Sequence, residues 1–444
     1  MRVPRGELFD PLFGAAELGA ALSDRAWIAA LIEVECALAR AQAVAGVLDE
    51  GYAETIAAAG PELAATLGPA ELGAAAVAGG NPVIPLVRRL REACAPAGVP
   101  GSAVHKGATS QDILDNALLL LAQRTGAMIV DDLRAAADAA AELAHVHRDT
   151  PMAARTLGQQ ALPTTFGALS AGWCKALDRA AGSVTAALAD LPVQFGGAAG
   201  TLAALYPHGP AVADALAAEL GLAAQGIPWH TDRTPIAELA TALGVAAGAV
   251  AKIATDIVTL SATEIGEVSE DAPGGSSAMP HKRNPVAAIT ARAAARRVPG
   301  LVADALGAMD HELQRAAGAW HAEWETVTDL LRLTGGAAHR LAQSLTGLHV
   351  HPEAMARNLA VTGGLLLAER VTAALSEHTD RARDIVTAAA TANPPALDTD
   401  PAIIEHLGAH QVRDLLDPAG YLGHAADLVT RVLTERDSTH TDPG

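Results

Sequence analysis

The residues best suited to chemistry lie in one short run, GGSSAMPHKRNP, at positions 274–285. Gly274 and Gly275 give the backbone freedom to turn, and Pro280 and Pro285 interrupt helix on either side of the basic segment. The rest of the chain is rich in Ala and Leu, so this polar run is unlike its surroundings. It predicts a loop that carries hydroxyl groups and hydrogen-bond donors.

Two serines in this loop are candidates for proton transfer. A serine hydroxyl is a poor acid or base unless nearby donors stabilise its alkoxide. Lys282 supplies a positive charge and Asn284 an amide, and a helix that starts after Pro285 adds N–H groups that favour anions. Ser276 or Ser277 beside these donors predicts a proton-transfer site for a carboxylate substrate. The alternative is a solvated Gly/Ser loop without chemistry.

A second polar stretch, VHKGATSQDILDNAL, occupies residues 104–118. Thr109 or Ser110 is a suitable N-cap for a helix, and Asp112 suits the first helical turn. Capping explains these residue types, but hydroxyls at a helix N-terminus could equally hold a substrate carboxylate. Capping does not explain His105, which precedes the cap.

A third stretch, RTLGQQALPTTFG, places Gln159 and Gln160 in apolar sequence at residues 155–167. These amides indicate either a buried turn or a turn that lines a substrate site. Arg233, in WHTDR, could pair through two hydrogen bonds with a carboxylate. The alternative for Arg233 is a surface or interface position.

Long segments without proline must position these stretches. Apolar residues recur at helical spacing from Ser110 to about His147, from Ile236 to about Val268, and from Val286 to about Ala317, where Pro299 interrupts them. A helix of about 33 residues is roughly 50 Å long, more than one ordinary domain requires. We find no run of useful length with strand periodicity. These patterns predict an all-α fold whose long helices form a bundle shared between subunits, with an Ala-rich monomeric bundle as the alternative.

Composition excludes several functional classes. The 444-residue chain has a net charge of −19 and four lysines, so we expect no nucleic-acid partner. The longest uncharged apolar run, Leu239–Ala251, is too short to cross a bilayer, and the first residues lack a signal-peptide pattern. Three widely spaced cysteines indicate neither a disulfide framework nor a metal site. We expect a cytoplasmic protein with no membrane partner and no bound metal.

Taken together, the three polar stretches resemble the active-site regions of the fumarase/aspartase superfamily. GSSAMPHKRNP is similar to its signature loop, GSSxMPxKxNP, and GATSQD and RTLGQQALPTTFG are similar to the other two regions, in the same order. The resemblance covers the whole chain. It implies an all-helical subunit of three domains, a central bundle of long helices, and a homotetramer whose active sites combine three subunits. The domains would be residues 1–105, 106–345 and 346–444.

Within the superfamily, GNPVIPLVRRLR and GAWHAEWET are most similar to cycloisomerases that act on 3-carboxy-cis,cis-muconate in protocatechuate degradation. This similarity implies a mechanism without cofactors, in which one substrate carboxylate adds to a double bond and closes a lactone. Lys282 and Asn284 would stabilise an enolate-like species, and Ser276 would deliver the proton. The candidate residues for binding this polycarboxylate are Thr109, Ser110, Gln111, Gln159, Gln160, Arg233, His281 and His105.

Two residues depart from the pattern of the third region. Leu157 stands where related lyases have His and cycloisomerases often have Trp, and Gln160 stands where cycloisomerases have His. A glutamine amide can donate a hydrogen bond but cannot transfer a proton at neutral pH. The role of that histidine is therefore vacant or passes to His105 or His281. Thr234 and Pro235 also depart from the usual sequence after WHTDR.

These departures keep two alternatives open. One is a carbon–nitrogen or carbon–oxygen lyase of the same fold, acting on adenylosuccinate or on a succinate derivative of secondary metabolism. The scarcity of lysine disfavours the phosphate of a nucleotide substrate. The other is a non-catalytic structural protein on this fold. The complete set of Ser276, Lys282 and Asn284 favours an enzyme over the structural protein.

Overall fold

The computed structural model describes residues 8–275 and 279–441. Over these ranges the chain forms nineteen α-helices and four short β-strands, which confirms the predicted all-α class. The helices are α1 (Asp10–Phe13), α2 (Ala16–Ala21), α3 (Asp24–Val44), α4 (Glu50–Thr66), α5 (Pro69–Ala76), α6 (Val83–Cys94), α7 (Ser110–Val146), α8 (Phe166–Ala189), α9 (Gly209–Leu220), α10 (Thr234–Leu260), α11 (Val286–Ala295), α12 (Val298–Gly307), α13 (Ala319–Thr346), α14 (Pro352–Ala360), α15 (Ala368–Leu375), α16 (Ala382–Thr391), α17 (Pro401–Leu407), α18 (Ala409–Leu415) and α19 (Ala425–Thr441). The strands are β1 (Pro151–Thr156), β2 (Gln159–Thr165), β3 (Val268–Glu270) and β4 (Leu348–Val350).

The chain divides into two compact units. Unit 1 comprises Met1–Leu133, Arg179–Ala251 and Thr290–Arg340, and unit 2 comprises Arg134–Asp178, Lys252–Ile289 and Leu341–Gly444. Helices α7, α8, α10, α11 and α13 contribute residues to both units. The division into three sequence segments stays a prediction.

Helix α3 is a principal element of unit 1. It begins where the Ser23 side chain accepts a hydrogen bond from Ala26 N at 3.3 Å, a typical N-cap. It packs against α4 and α9 and buries aliphatic side chains such as Leu31 and Leu38. Burial stabilises the fold by about 1.5–3 kcal/mol for each such side chain. The same helix buries one carboxylate, Glu35, which is 2% exposed.

The first third of α7 forms an unbroken buried run in unit 1. Every residue from 111 to 122 is buried, so this part of the helix is covered on all sides within its own chain. Most of these residues are Leu, Ile or Ala. Four are polar, and they lie on the first two turns: Gln111, Asp112, Asp115 and Asn116. Buried polar groups require hydrogen-bond partners, and those partners determine the surrounding structure.

Two helices, α7 and α10, are long and apolar enough to cross a membrane, with mean hydropathies of 1.3 and 1.6 over their most apolar windows. For α7, 78% of that window is buried inside the protein, and the helix carries buried carboxylates, as expected for a core helix. For α10 the buried share is 56%, and Val245 is 62% exposed. Helix α10 therefore presents a partly uncovered apolar surface.

The expectation that the chain has no strands is wrong in unit 2. Strands β1 and β2 form an antiparallel hairpin, in which Arg155 pairs with Gln160 and Thr156 with Gln159. Leu157 and Gly158 form its two-residue turn with positive φ values of 52° and 81°, the geometry that joins twisted strands. Glycine suits this turn but leucine does not, so the sequence gives a weak signal. Strands β3 and β4 pair antiparallel as well.

Two of the three predicted long helices need correction. The segment from Val286 to Ala317 forms α11 and α12, because Pro299 lies in the first turn of α12 and cannot continue the preceding helix. Helix α10 ends at Leu260 rather than near Val268, and Gly266 adopts a left-handed φ of 61° before β3. Helix α13, with 28 residues, was not predicted as a long helix.

We expect Gly336→Ala to destabilise unit 1. A Cβ atom at Gly336, inside α13, would lie 1.9 Å from the backbone oxygen of Phe13, which cannot move without displacing the segment before α2. Such overpacking costs about 1–3 kcal/mol in the free energy of unfolding. The control is Gly172→Ala in α8, where a Cβ atom meets nothing within 4 Å. The control should gain about 0.5–1 kcal/mol. Urea unfolding followed by circular dichroism measures both changes, and equal changes would contradict the close contact.

Candidate active site

The signature loop is closed at its base by a backbone pair in unit 2. Gly274 N donates to Asn284 O at 2.9 Å, and Asn284 N donates to Gly274 O at 3.0 Å. The Asn284 side chain also donates to Gly274 O at 3.1 Å. A Cβ atom at Gly274 would lie 2.2 Å from Val286 Cγ2, so only glycine fits this closure. Asn284 therefore holds the base of the loop closed, in addition to its predicted role towards a substrate.

Beyond this closure the loop presents a cation. Lys282 and His281 are exposed, and a turn from Lys282 N to Met279 O at 3.0 Å precedes the closure. Among the residues that the structure describes, no carboxylate pairs with Lys282. The candidate proton donors Ser276 and Ser277 lie outside the described residues. Lys282 is thus available for an anionic ligand.

The helix that follows the loop is capped by a residue that precedes it. Glu270, which is buried, accepts hydrogen bonds from Ala287 N at 3.1 Å and Ala288 N at 2.9 Å, in the first turn of α11. Ser344 Oγ donates to the same carboxylate at 2.6 Å. The predicted helix start after Pro285 is confirmed. However, the N–H groups of Ala287 and Ala288 already bind a protein carboxylate. Glu270 was not predicted. Its carboxylate fixes the start of α11, immediately after the signature loop.

The second region forms the N-terminus of α7, in unit 1. Thr109 is the N-cap, and Asp112 Oδ2 accepts a hydrogen bond from Thr109 N at 2.9 Å, the reciprocal half of a capping box. The hydroxyl groups of Thr109 and Ser110 are half-buried and make no hydrogen bond with another described residue. Gln111 differs, because its amide donates to Asp115 and His230 O and accepts from Arg315. Thr109 and Ser110 can therefore accept a ligand, while the Gln111 side chain already has protein partners.

His105, in the loop before α7, has one close partner. Its Nδ1 lies 2.6 Å from Glu35 Oε1, and Glu35 Oε2 is buried without a hydrogen-bond partner among the described residues. Burial lowers the pKa of His105, but the carboxylates of Glu35 and Asp112 together raise it more, so the pKa lies above its ordinary value. The pair favours an imidazolium cation at this position. Glu35 was not predicted, although a glutamate within the apolar sequence LIEVECALA was a signal.

The third region is the turn end of the β1–β2 hairpin, in unit 2. Leu157 is fully exposed at the turn, and Gln159 beside it is exposed. Gln160 Nε2 donates to Asn358 O at 2.8 Å, and its Oε1 is buried without a described partner. An Arg155 guanidinium anchors the hairpin through two hydrogen bonds to the buried Glu267, at 2.7 and 2.9 Å. The amide of Gln160 is thus fixed in place but can neither give nor take a proton.

Arg233 is buried in unit 1, where only 1% of it is exposed. It donates to Asp115 at 2.8 and 3.2 Å and to Glu323 at 2.7 Å. The predicted bidentate carboxylate contact exists, but its partners are protein side chains. Burial raises the pKa of Glu323 although Arg233 opposes the rise, and the two carboxylates raise the pKa of Arg233 despite burial. Arg233, Asp115 and Glu323 thus form a buried structural ion-pair cluster.

The structure distributes the candidate residues over both units. Unit 1 holds His105, Thr109, Ser110, Gln111 and Arg233, and unit 2 holds Gln159, Gln160, His281, Lys282 and Asn284. Within unit 1, the first four follow one another along the chain at the start of α7. Within unit 2, the candidates lie on two separate loops. Their roles towards a substrate stay predictions.

A family model described as Lyase matches residues 9–300, well over half of the chain. The chain belongs to the fumarase/aspartase superfamily of lyases. The resemblance drawn from the signature loop and the two other regions is confirmed, and this lyase is an enzyme of that superfamily. The model covers the α7 N-terminus, the β1–β2 hairpin and the signature loop.

The lyase is similar along its whole length to two curated relatives. Nitrosuccinate lyase of Streptomyces davaonensis is 44% identical, over 96% of this chain and 94% of the relative. 3-Carboxy-cis,cis-muconate cycloisomerase of Pseudomonas aeruginosa is 41% identical, over 99% of both. The solved 3-carboxy-cis,cis-muconate lactonizing enzyme of Pseudomonas putida has a TM-score of 0.92 at 39% identity, covering 98% of the lyase and 100% of that chain. The predicted fold is confirmed, and the relatives' names give two substrate classes.

We expect Arg233→Met to act on folding rather than on substrate binding. The change leaves Asp115 and Glu323 buried without their cation, which costs about 3–5 kcal/mol in the free energy of unfolding. The control is Arg89→Met, which removes the exposed pairs of Arg89 with Glu92 and Glu71 and should cost no more than about 1 kcal/mol. Urea unfolding measures both values. Normal stability of Arg233→Met together with an increased KM would instead support the predicted substrate contact.

Proposed function

We propose that this lyase is a cycloisomerase that converts 3-carboxy-cis,cis-muconate to 4-carboxymuconolactone in protocatechuate degradation. One substrate carboxylate adds to a carbon–carbon double bond of the same molecule. The new carbon–oxygen bond closes the lactone, and the electron pair of the double bond moves to the carbon beside another carboxylate. One proton then completes the reaction at that carbon. These steps require neither a metal nor an organic cofactor.

The proposed roles follow the chemistry of each group. Ser276 would deliver the proton, and Lys282 and Asn284 would stabilise the enolate-like charge, as preorganised donors do in other enzymes. Thr109 and Ser110 have hydroxyls free of described partners, so they suit the carboxylates that do not react. Gln159 and His281 are exposed and can add further donors. Gln111 would contribute mainly by holding the α7 N-terminus.

The observation that carries the proposal is the full-length similarity to a 3-carboxy-cis,cis-muconate cycloisomerase, at 41% identity over 99% of both chains. The amide of Gln160 departs from the His expected in cycloisomerases, but it still separates the reactions that the site could perform. An elimination that expels an amine or hydroxide needs a second acid to protonate the leaving group, and an amide cannot provide one. Lactone formation needs no such acid, because the nucleophile is already a carboxylate and nothing leaves. A one-proton reaction therefore fits this site better than the release of an amine from adenylosuccinate.

One other reaction also needs no acid at position 160. Nitrite is a weak base, so a lyase that expels the nitro group of nitrosuccinate as nitrite also needs no acid at position 160. The 44% identity to nitrosuccinate lyase favours this alternative. Cycloisomerases are also represented at 41% identity and by the solved structure with a TM-score of 0.92, and we therefore place the cycloisomerase first.

Ultraviolet assays on the purified lyase test the substrate. We expect loss of diene absorbance with 3-carboxy-cis,cis-muconate and no turnover of nitrosuccinate or adenylosuccinate. Lys282→Ala should lower kcat by about 10²–10³-fold, because it removes a donor to developing charge. Lys175→Ala, which removes an exposed pair with Glu435, is the matched control and should keep full activity. Turnover of nitrosuccinate alone would establish the second candidate and refute the first.

We further propose that the lyase is a cytoplasmic homotetramer in which active sites are shared between subunits. The support is α10, whose most apolar window is only 56% buried within one chain. Its exposed residues at helical spacing include Thr241, Val245 and Gly248, which are small enough for another helix to approach. Association of such a surface removes apolar area from water.

The change Val245→Glu should therefore dissociate the tetramer and reduce activity with it, since a charge would be buried at the contact. Val77→Glu introduces the same charge at a residue that is 81% exposed in the N-terminal helices, and it should remain tetrameric. Analytical ultracentrifugation gives the mass of each variant. A monomeric parent protein with full activity would refute the proposal.

A further inference from the structure

The carboxylate of Glu35 is a buried charge with a single partner. Its side chain on α3 is 1% exposed, and its only hydrogen bond among the described residues joins Oε1 to His105 Nδ1 at 2.6 Å. The second oxygen, Oε2, is buried without a partner. A desolvated carboxylate is costly unless a cation compensates for it. The imidazolium form of His105 is the group positioned to do so.

The loop that carries His105 is fastened to the end of α3. Gln42 Nε2 donates to Lys106 O at 2.6 Å, and Lys106 Nζ donates to Val47 O at 2.7 Å. His105 itself adopts a left-handed φ of 62°, which is uncommon for a residue with a side chain. Such a conformation persists only when surrounding contacts determine it, and it is typical of functional sites. The ring orientation of His105 is therefore fixed by the backbone and by Glu35.

This orientation leaves one nitrogen for a ligand. Since an ionised carboxylate only accepts hydrogen bonds, Nδ1–H of His105 faces Glu35. Nε2 has no partner among the described residues, and the side chain is 15% exposed. Four and five residues later stand the hydroxyls of Thr109 and Ser110, which also lack described partners. In the imidazolium form, Nε2–H is a charged donor in the same short segment of chain as these two neutral ones.

The charges that face His105 come from three helices. Glu35 on α3 and Asp112 on α7 favour its protonated form, while Arg91 on α6 and burial oppose it. The carboxylates dominate, so the pKa of His105 is raised. The imidazolium is therefore present below the raised pKa of His105 and is lost as the pH rises through that pKa. Removing the charge of Glu35 must move that loss to lower pH.

We propose that Glu35 is a positioning residue, which orients His105 so that its imidazolium Nε2–H binds one carboxylate of the substrate. The proposal rests on the polycarboxylate substrate class proposed above. It gives the lyase a cationic contact that does not depend on the third region, where Gln160 replaces a histidine. Glu35 acts only through His105 and does not touch the ligand.

The test measures binding of propane-1,2,3-tricarboxylate, which cannot react, by calorimetry between pH 5.5 and 9. Affinity of the parent protein should fall by about tenfold or more as His105 loses its proton, the loss of one charged hydrogen bond. In Glu35→Gln the midpoint of this fall should move down by about one pH unit or more. Long-range ¹H–¹⁵N spectra of histidine-labelled protein should show the same displacement for His105. The ionisation of the tricarboxylate is common to all variants.

Two further variants separate the proposal from its alternatives. Glu33→Gln removes a charge two residues away on α3, where Glu33 pairs with the exposed Arg124, and should behave as the parent protein. His105→Gln keeps a donor for Glu35 but cannot titrate, so its affinity should show no fall beyond that of the ligand, with an increased KM and a similar kcat. An unchanged midpoint in Glu35→Gln, or an unchanged fall in His105→Gln, would overturn the proposal. If no muconate is turned over but the midpoint moves as expected, the proposed cycloisomerase fails and the role of Glu35 stands.

Discussion

The buried carboxylates of Asp112 and Asp115 are the constraint on which unit 1 depends. Both lie within residues 111–122 of α7, which are all buried, and an uncompensated charge there would cost several kcal/mol. Asp115 is compensated by Arg233 and by the Trp320 indole N–H at 2.9 Å. Asp112 accepts from Gly196 N and Gly197 N, at 3.0 and 2.9 Å, besides capping α7. Satisfying these two groups fixes the segments around the helix N-terminus.

This buried network supports the α7 N-terminus, where two candidate hydroxyls make no hydrogen bond with described residues. His230 Nε2 lies 2.6 Å from Asp112 Oδ1, and Asn116 exchanges hydrogen bonds with the backbone of Gln194. The buried polar groups of α7 are thus hydrogen-bonded to other parts of the protein. The hydroxyls of Thr109 and Ser110, just outside the network, remain unbonded among the described residues. Rigid support with free outer groups is the arrangement that ligand binding requires.

Sequence alone predicted the parts of this site that depend on residues close to one another along the chain. The start of α7 at Ser110 and the helix after Pro285 follow from capping and proline chemistry, which act within a few positions. The contacts that support the site are not local. Glu35 and His105 are 70 residues apart, and Arg233 is 90 residues from Glu323. The hairpin turn at Leu157 was missed for a different reason, since leucine rarely adopts a positive φ.

Gln160 and His105 are both suited to hydrogen-bonding an anion rather than to accepting a proton from it. Gln160 is an amide that donates to the Asn358 backbone oxygen, so this side chain can hydrogen-bond a ligand but cannot exchange protons with it. At His105 a buried carboxylate favours the charged imidazole, which is a donor rather than a base. Under the proposed function both groups would hold a polyanion in place, and proton transfer would fall to Ser276 in the signature loop. A reaction in which the substrate supplies its own nucleophile and needs a single proton would fit this division of roles.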